Sequence, residues 1–428
     1  MSDARPLLDP HGRGRPTVRP GSTPGPGLSD AEAQVNMRAL RAYRLERVRA
    51  ELRARDYAGC LLFDPINIRY ATGSRNMVVW TLHNAARYCF IPTEGPIVLF
   101  DFHNCEHLSD GLETIAEVRP ARAWYYFAAG PRLGEKAKRW AAEVAELVRA
   151  HGGGNRRLAL DHCNPAGQAA LNELGIEVRE AQEVMEQARA IKSADEITLM
   201  KAAIQVCQMG MAEMREALEP GMTENELWSI LHQVNIARGG EWIETRLLTS
   251  GANTNPWFQE CSDRVIQSGE LVSYDTDLIG PYGFCADISR SHFCGPGRPS
   301  DEQRRLYRLA YEQIQYNMAL LKPGLGFREL AERAFELPES CAPNRYSVLI
   351  HGVGLCDEYP HCAYAQDQEQ HGYDGAFEPG MTVCVESYVG EVGGTEGVKL
   401  EEQVLITETG VELLCDFPFE DELLDRQI

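Results

Sequence analysis

The sequence has no C-x-x-C pair, no long apolar run and no excess of basic charge, and each absence removes a class of function. Its 13 cysteines are an odd count, and most sit inside apolar runs such as GCLLF and TVCVES. Without paired spacing they read as buried thiols of a reduced, cytoplasmic chain rather than as a disulfide framework. No stretch reaches the roughly 18 apolar residues of a membrane span, and the N-terminus has no apolar h-region. The expectation is a chain that neither crosses a membrane nor is secreted. The formal net charge of −21 offers no basic groove for phosphates, which sets nucleic acid aside as a partner. The same charge is compatible with a cationic small-molecule substrate, although acidic solubility is the plainer reason for it.

What is present is enough apolar material for two cores. At 428 residues the chain exceeds the roughly 250–300 residues at which single cores stop growing. Residues 1–30 hold six prolines and four arginines with almost no apolar periodicity, which predicts a disordered proline/arginine-rich arm. Residues 31–190 alternate helical and strand-like blocks, the pattern of an α/β domain. A long helix is expected within AEAQVNMRALRAYRLERVRAELRARDYAG, where Leu40, Tyr43, Leu45 and Val48 recur at roughly helical spacing. CLLFDPINIRYATG reads as a buried strand and loop, and RYCFIPTEGPIVLF as two strands joined by a turn. GEKAKRWAAEVAELVRAHGGG reads as a helix with a glycine stop. Residues 191–428 are expected to form a second domain, opened by an amphipathic helix behind a Ser193–Glu196 capping box. Further helices near 223–238 and 300–321 alternate there with strand-like blocks.

The strongest chemical signal is LVSYDTDLIGPYGFCADISRSHF. A strand turns residues i and i+2 to one face, so Asp275 and Asp277 are expected side by side. GPYG can reverse the chain and bring Asp287 back to the same place. Three carboxylates on one hairpin repel, so either one holds a proton or a cation holds them together. A solvated acidic hairpin is the alternative, and the apolar flanks LVSY and FCADIS argue against it. MTVCVESYVG buries Glu386 among β-branched residues, and GVKLEEQVLIT carries Glu401 at the start of a strand; a buried glutamate needs a partner. His351, beside glycines in HGVGLCDEYP, can approach a metal closely. Taken singly, such acids are more often salt-bridged and such a histidine more often structural. In the order Asp, Asp, His, Glu, Glu they form a set.

This order and these motifs resemble the pita-bread superfamily of methionine aminopeptidase, prolidase, aminopeptidase P and creatinase, over most of residues 35–415. The likeness implies an N-terminal creatinase-like α/β domain and a C-terminal pita-bread metal-binding domain of α+β character. It also implies that Asp275, Asp287, His351, Glu386 and Glu401 hold two divalent metal ions. Oxygen donors with one imidazole suit iron, manganese or cobalt, and suit a thiolate-type zinc site less well.

Three departures set the chain apart from the peptidases of that superfamily. Trp257 in TSGANTNPWF stands where they carry a histidine. Their second histidine after HGVGL is replaced by the acids of CDEYP, with Glu358 at its position. The usual D-x-G has become D-T-D, which adds Asp277 as a sixth candidate ligand. Creatinase is a poorer match, because it works without the metal ligands retained here. SRNMVVWTLHN, RGGEWIETRLLTSGANTNPWFQE, YDTDLIGPYGFCADISRS, HGVGLCDEYP and VKLEEQVLIT resemble the metal-dependent dimethylsulfoniopropionate lyases of the superfamily, the DddP type. That resemblance implies β-elimination to dimethyl sulfide and acrylate, iron as the metal and a homodimer as the assembly. The reaction would need a base aimed at the α-proton, for which Asp357 is the candidate. It would also need aromatic faces for the sulfonium cation, for which Trp80 in MVVWTLHN and Tyr346 in NRYSVLIHG match. Trp257 is a third aromatic, with a packing role equally open. The competing reading is an Xaa-Pro aminopeptidase or dipeptidase with an atypical site, in which His361 substitutes for a missing imidazole. A non-catalytic binding module would show eroded ligands, and all five are intact.

Overall fold

The computed structural model describes residues 35–426, so the arm expected over residues 1–30 lies outside the described residues. Within them, residues 35–189 and 190–426 form two compact units.

The first unit is built on a six-stranded mixed sheet. Its order is Glu117–Pro120, Val98–Asp101, Tyr88–Pro92, Gly59–Leu62, Arg157–Leu160, Glu177–Glu180. Strand Tyr88–Pro92 is antiparallel to both neighbours, and the outer pairings are parallel. Parallel neighbours need crossover connections, and helix Leu133–His151 lies in one of them, with Trp140, Val144 and Val148 on its buried face. Trp140 stacks on Trp124 at 4.3 Å between centroids, and Phe63, Tyr88 and Phe100 extend the aromatic core. One expectation fails in this unit. The segment after CLLF is a helix, Pro65–Thr72, and not a loop. Asp64 caps it by accepting from the N–H groups of Ile66 and Asn67, Pro65 sits in its first turn, and Gly73 ends it at φ 81°. These are start and stop signals of a helix too short to show periodicity.

In the second unit three helices, Ala194–Ala217, Glu224–Ala237 and Asp301–Leu320, each open on a capping box, from Ser193, Thr223 and Ser300. A five-stranded antiparallel sheet runs in the order Asp357–Cys362, Ile350–Val353, Thr382–Gly390, Gly397–Ile406, Val411–Leu413. Two smaller sheets join Ser289–Phe293, Leu271–Asp275 and Leu248–Ser250, and Cys285–Ala286, Leu278–Ile279 and Trp242–Ile243. Two sequence expectations are corrected here. The strand beginning at Leu271 stops at Asp275, and Asp277 adopts φ 36°, so the two aspartates do not sit on one strand face by alternation. The break falls where the chain leaves the sheet paired through Ser289 and enters the one paired through Ala286. Glu401 lies mid-strand in Gly397–Ile406 rather than at its start. All 13 cysteines are free thiols, and among the described residues no helix is long and apolar enough to cross a membrane.

Candidate active site

Two long strands supply much of the site. Glu386 and Glu401 are direct cross-strand partners, and His351 is paired with Cys384. Antiparallel partners share a face and alternate residues return to it. His351, Cys384, Glu386, Lys399 and Glu401 therefore face one way. Asp275 ends its strand opposite Ser289, and Asp287 lies between the short strands that follow. All six sequence-predicted metal ligands, Asp275, Asp277, Asp287, His351, Glu386 and Glu401, are buried.

His351 is the centre of the arrangement. Its Nε2 lies 3.2 Å from Glu386 Oε1, 3.6 Å from Glu401 Oε1 and 3.7 Å from Asp287 Oδ2. Its Nδ1 faces the Gly352 carbonyl at 3.1 Å. A carbonyl oxygen only accepts, so Nδ1 donates. Burial is outweighed by Asp357, Glu386 and Glu401, which favour the protonated ring, whose Nε2 then donates to Glu386. A bound metal would take that proton's place on Nε2. The Asp277 N–H donates to Asp287 Oδ1 at 3.3 Å, and the Asp277 carboxylate accepts from Thr245 Oγ1. Donor atoms lie within 4.8 Å of one another in four overlapping groups. Two are all-carboxylate, Asp275–Asp277–Asp287 and Asp275–Glu386–Glu401; the others are Asp287–His351–Cys384–Glu401 and Cys285–Asp287–Asp357.

The electrostatics show what such a cluster lacks. Burial pushes the Asp275 carboxyl up to about 6. Burial, with Glu401 opposite, pushes Glu386 up to about 7. Burial and the neighbouring acids drive Asp277 and Asp287 well above the carboxylate range. Burial also opposes the charge on Glu401, but Lys399 and His351 together hold its carboxyl below the usual range. Asp275 Oδ1 and Glu401 Oε1 are buried with no hydrogen-bond partner. Unsatisfied buried oxygens and crowded like charges both cost free energy, and a divalent cation on those oxygens removes both costs. Carboxylates with one imidazole are the donor set of iron, manganese or cobalt; the residues fit.

Lys399 was not among the residues singled out from the sequence. Its buried Nζ bonds Glu386 Oε2 at 2.6 Å and Ser289 Oγ at 2.7 Å, and lies 3.1 Å from Asp275 Oδ2 and 3.3 Å from Glu401 Oε2. The available signal was its place two residues before Glu401, on the same face of a largely buried strand. Tyr346 comes to the same cluster, its ring centroid 4.4 Å from Lys399 Nζ. Asp357 is at the edge: its side chain is 58% exposed, with Oδ1 3.6 Å from His351 Nδ1. Glu358, in the position of the missing histidine, turns the other way into a buried ion pair with Lys192. His361 lies across the ladder from His351 with an exposed side chain, and a bulge intervenes directly after His351. Trp257 is buried with its ring 6.0 Å from that of Tyr388, which is a packing contact. Trp80 belongs to the first unit, on the short helix Val78–His83, with its ring edge-on to Phe102 at 5.5 Å.

Comparison with known proteins agrees with this architecture. Residues 44–191 match the creatinase/prolidase N-terminal domain, and residues 198–408 match metallopeptidase family M24. An Xaa-Pro dipeptidase from Bacillus anthracis has the same fold, with a TM-score of 0.70 at 23% identity over 89% of this chain and 99% of its own. Prolidase from Pyrococcus horikoshii is similar, at 0.69 and 20% over 89% and 99%. Fold and site thus define a pita-bread protein with a creatinase-type N-terminal domain and an M24 catalytic domain. A dimethylsulfoniopropionate lyase DddP from Roseovarius nubinhibens is 46% identical over 91% of this chain and 89% of its own length. Its counterpart from Roseobacter denitrificans is 43% identical over 91% and 88%. The chain belongs to the DddP family of lyases.

Proposed function

We propose that the chain is a metal-dependent carbon–sulfur lyase that cleaves dimethylsulfoniopropionate by β-elimination to dimethyl sulfide and acrylate. The observation that carries this reading is a complete metal-type donor set beside one exposed carboxylate, Asp357, with no imidazole at positions 257 and 358. Asp275, Asp277, Asp287, His351, Glu386 and Glu401 would hold two divalent ions, iron first, with manganese, cobalt or zinc as substitutes. When bound, such ions supply Lewis acidity to the substrate carboxylate and to the negative charge that builds there. Asp357 takes the proton from the carbon next to the carboxylate. The C–H electron pair becomes the new double bond, the C–S bond breaks, and its pair leaves on sulfur as neutral dimethyl sulfide. The exposure of Asp357 lets the captured proton pass to solvent. Tyr346 and Trp80 are the aromatic side chains assigned to the sulfonium. A cytoplasmic homodimer belongs to the same reading, and light scattering of the purified protein tests the assembly.

An Xaa-Pro aminopeptidase or dipeptidase is the competing reading, supported by the shared fold. The deciding experiment gives the metal-loaded protein dimethylsulfoniopropionate and an Xaa-Pro dipeptide in separate assays. Headspace dimethyl sulfide without dipeptide cleavage is expected; the reverse result sinks the lyase. Elemental analysis of the same preparation tests iron and the count of two.

A further inference from the structure

The aromatic ring assigned to the sulfonium, Tyr346, already has a cation against it. The Lys399 ammonium lies 4.4 Å from the Tyr346 centroid, held there by Asp275, Glu386 and Glu401. A second cation brought to that ring would meet the first at close range. A neighbouring ring has no such conflict. Phe258 stacks on Tyr346 with centroids 5.2 Å apart and planes at 25°, yet it remains 54% exposed. Its backbone is held at φ 75°, a conformation that is a true outlier for a bulky aromatic residue. The surrounding framework enforces it. Asn255 is bonded to the carbonyls of Glu391 and Gly394 and to Tyr388 Oη, and Trp257 is buried against the Tyr388 ring. A strained backbone that turns an aromatic side chain outward, stacked on the ring that touches Lys399 of the carboxylate cluster, is a positioned surface rather than a core residue.

We propose that Phe258 presents the aromatic face that receives the substrate's sulfonium group, with Tyr346 as its backing ring; this rests on the lyase reading given above. The electron-rich face of the ring attracts a sulfonium that the carboxylate cluster, already neutralised in part by Lys399, does not need to hold. The contact acts on the bound substrate and on the transition state for proton removal alike, because sulfur keeps its positive charge until the C–S bond breaks. The ring therefore contributes to KM and leaves kcat nearly unchanged.

The test compares the metal-loaded wild type with Phe258→Leu, which keeps apolar bulk but removes the ring, and with Phe258→Tyr, which keeps the ring. Phe258→Leu is expected to raise KM for dimethylsulfoniopropionate about tenfold with kcat nearly unchanged, and Phe258→Tyr to stay within about twofold of wild type. Inhibition by 4-methylpentanoate, an uncharged-tail carboxylate of the same shape, is expected to be equal in wild type and Phe258→Leu. An unchanged KM in Phe258→Leu overturns the proposal. So does an equal loss for 4-methylpentanoate, which would make the ring simple packing. Calorimetric titration with the same two ligands separates this proposal from the reading it rests on. Binding of dimethylsulfoniopropionate that depends on Phe258, without release of dimethyl sulfide, upholds the contact and overturns the lyase. No measurable binding to the wild type overturns both.

Discussion

Asp357 and Glu358 are neighbours in sequence and opposites in environment, because successive residues of a strand face opposite ways. Asp357 reaches solvent beside His351, whereas Glu358 is buried against the Lys192 ammonium. Their substitutions are expected to separate activity from stability. Asp357→Asn removes the proposed base and should lower dimethyl sulfide release by about 10²–10⁴-fold, with metal content and Tm as in wild type. Glu358→Gln leaves a buried ammonium without its counter-charge. It should reduce stability by about 3–5 kcal/mol in denaturant unfolding while kcat stays near wild type. Metal loss in the first variant, or an intact Tm in the second, would show that these roles are wrongly divided. The same contrast explains why the missing histidine's position misleads: the acid that fills it serves the fold, and the acid before it faces the site.

At the scale of elements, the segment from Ser250 to Ser262, which carries Trp257 and Phe258, has both its ends held by one buried residue. Glu224, at the start of helix Glu224–Ala237, accepts from the N–H and Oγ of Ser250 at 2.9 and 2.8 Å. It accepts likewise from the N–H and Oγ of Ser262 at 3.0 and 2.8 Å. Glu224→Ala strands four donors at once and should cost at least about 3 kcal/mol. Hydrogen exchange across 250–262 should accelerate selectively, and protection equal to wild type would contradict this tether. Elements whose signals are local were legible in the sequence: the capping box at Ser193, the hairpin around TEGP, and the buried strand around Glu386. The order of the acids and His351 was legible too. What escaped depends on pairing at long range. The break at Asp277 arises because the chain changes sheets there, and periodicity reads Asp275–Thr276–Asp277 as one strand. Lys399 gains its role only when its strand lies against that of Glu386, and Phe258 only when Tyr346 arrives from nearly ninety positions later. The short helix Pro65–Thr72 was lost for the opposite reason, since its caps were visible but its length shows no period.

For the whole molecule, the buried acids make stability depend on pH in a direction set by the metal. A carboxyl whose folded pKa exceeds its unfolded value of about 4 binds its proton more tightly in the folded chain. Asp275, pushed to about 6, and Glu386, pushed to about 7, therefore cost the metal-free protein stability as pH rises from about 4 to about 7. The slope is at most about 1.4 kcal/mol per group per pH unit. His351, raised well above its usual value because Asp357 and Glu386 outweigh its burial, acts in the same direction. Its stabilising contribution is complete below the unfolded pKa and is lost as pH climbs through the folded one. Glu401 has the opposite sign, being depressed, but its contribution is lost only at acid pH, outside this window. The excess of 63 acidic over 42 basic residues also disfavours the compact state at higher pH, and added salt screens that surface repulsion far more than it screens a buried cluster. A bound metal reverses the cluster's sign, because its ligands must be deprotonated and affinity grows as they ionise. At high salt, the Tm of chelator-stripped protein is accordingly expected to fall between about pH 5 and pH 8. Over the same range the gain in Tm on adding a fixed concentration of manganese or iron should grow as Kd falls, a hundredfold excess over Kd corresponding to about 2.7 kcal/mol of stabilisation. A stripped protein whose Tm is flat across this range would mean that Lys399 alone already balances the carboxylates.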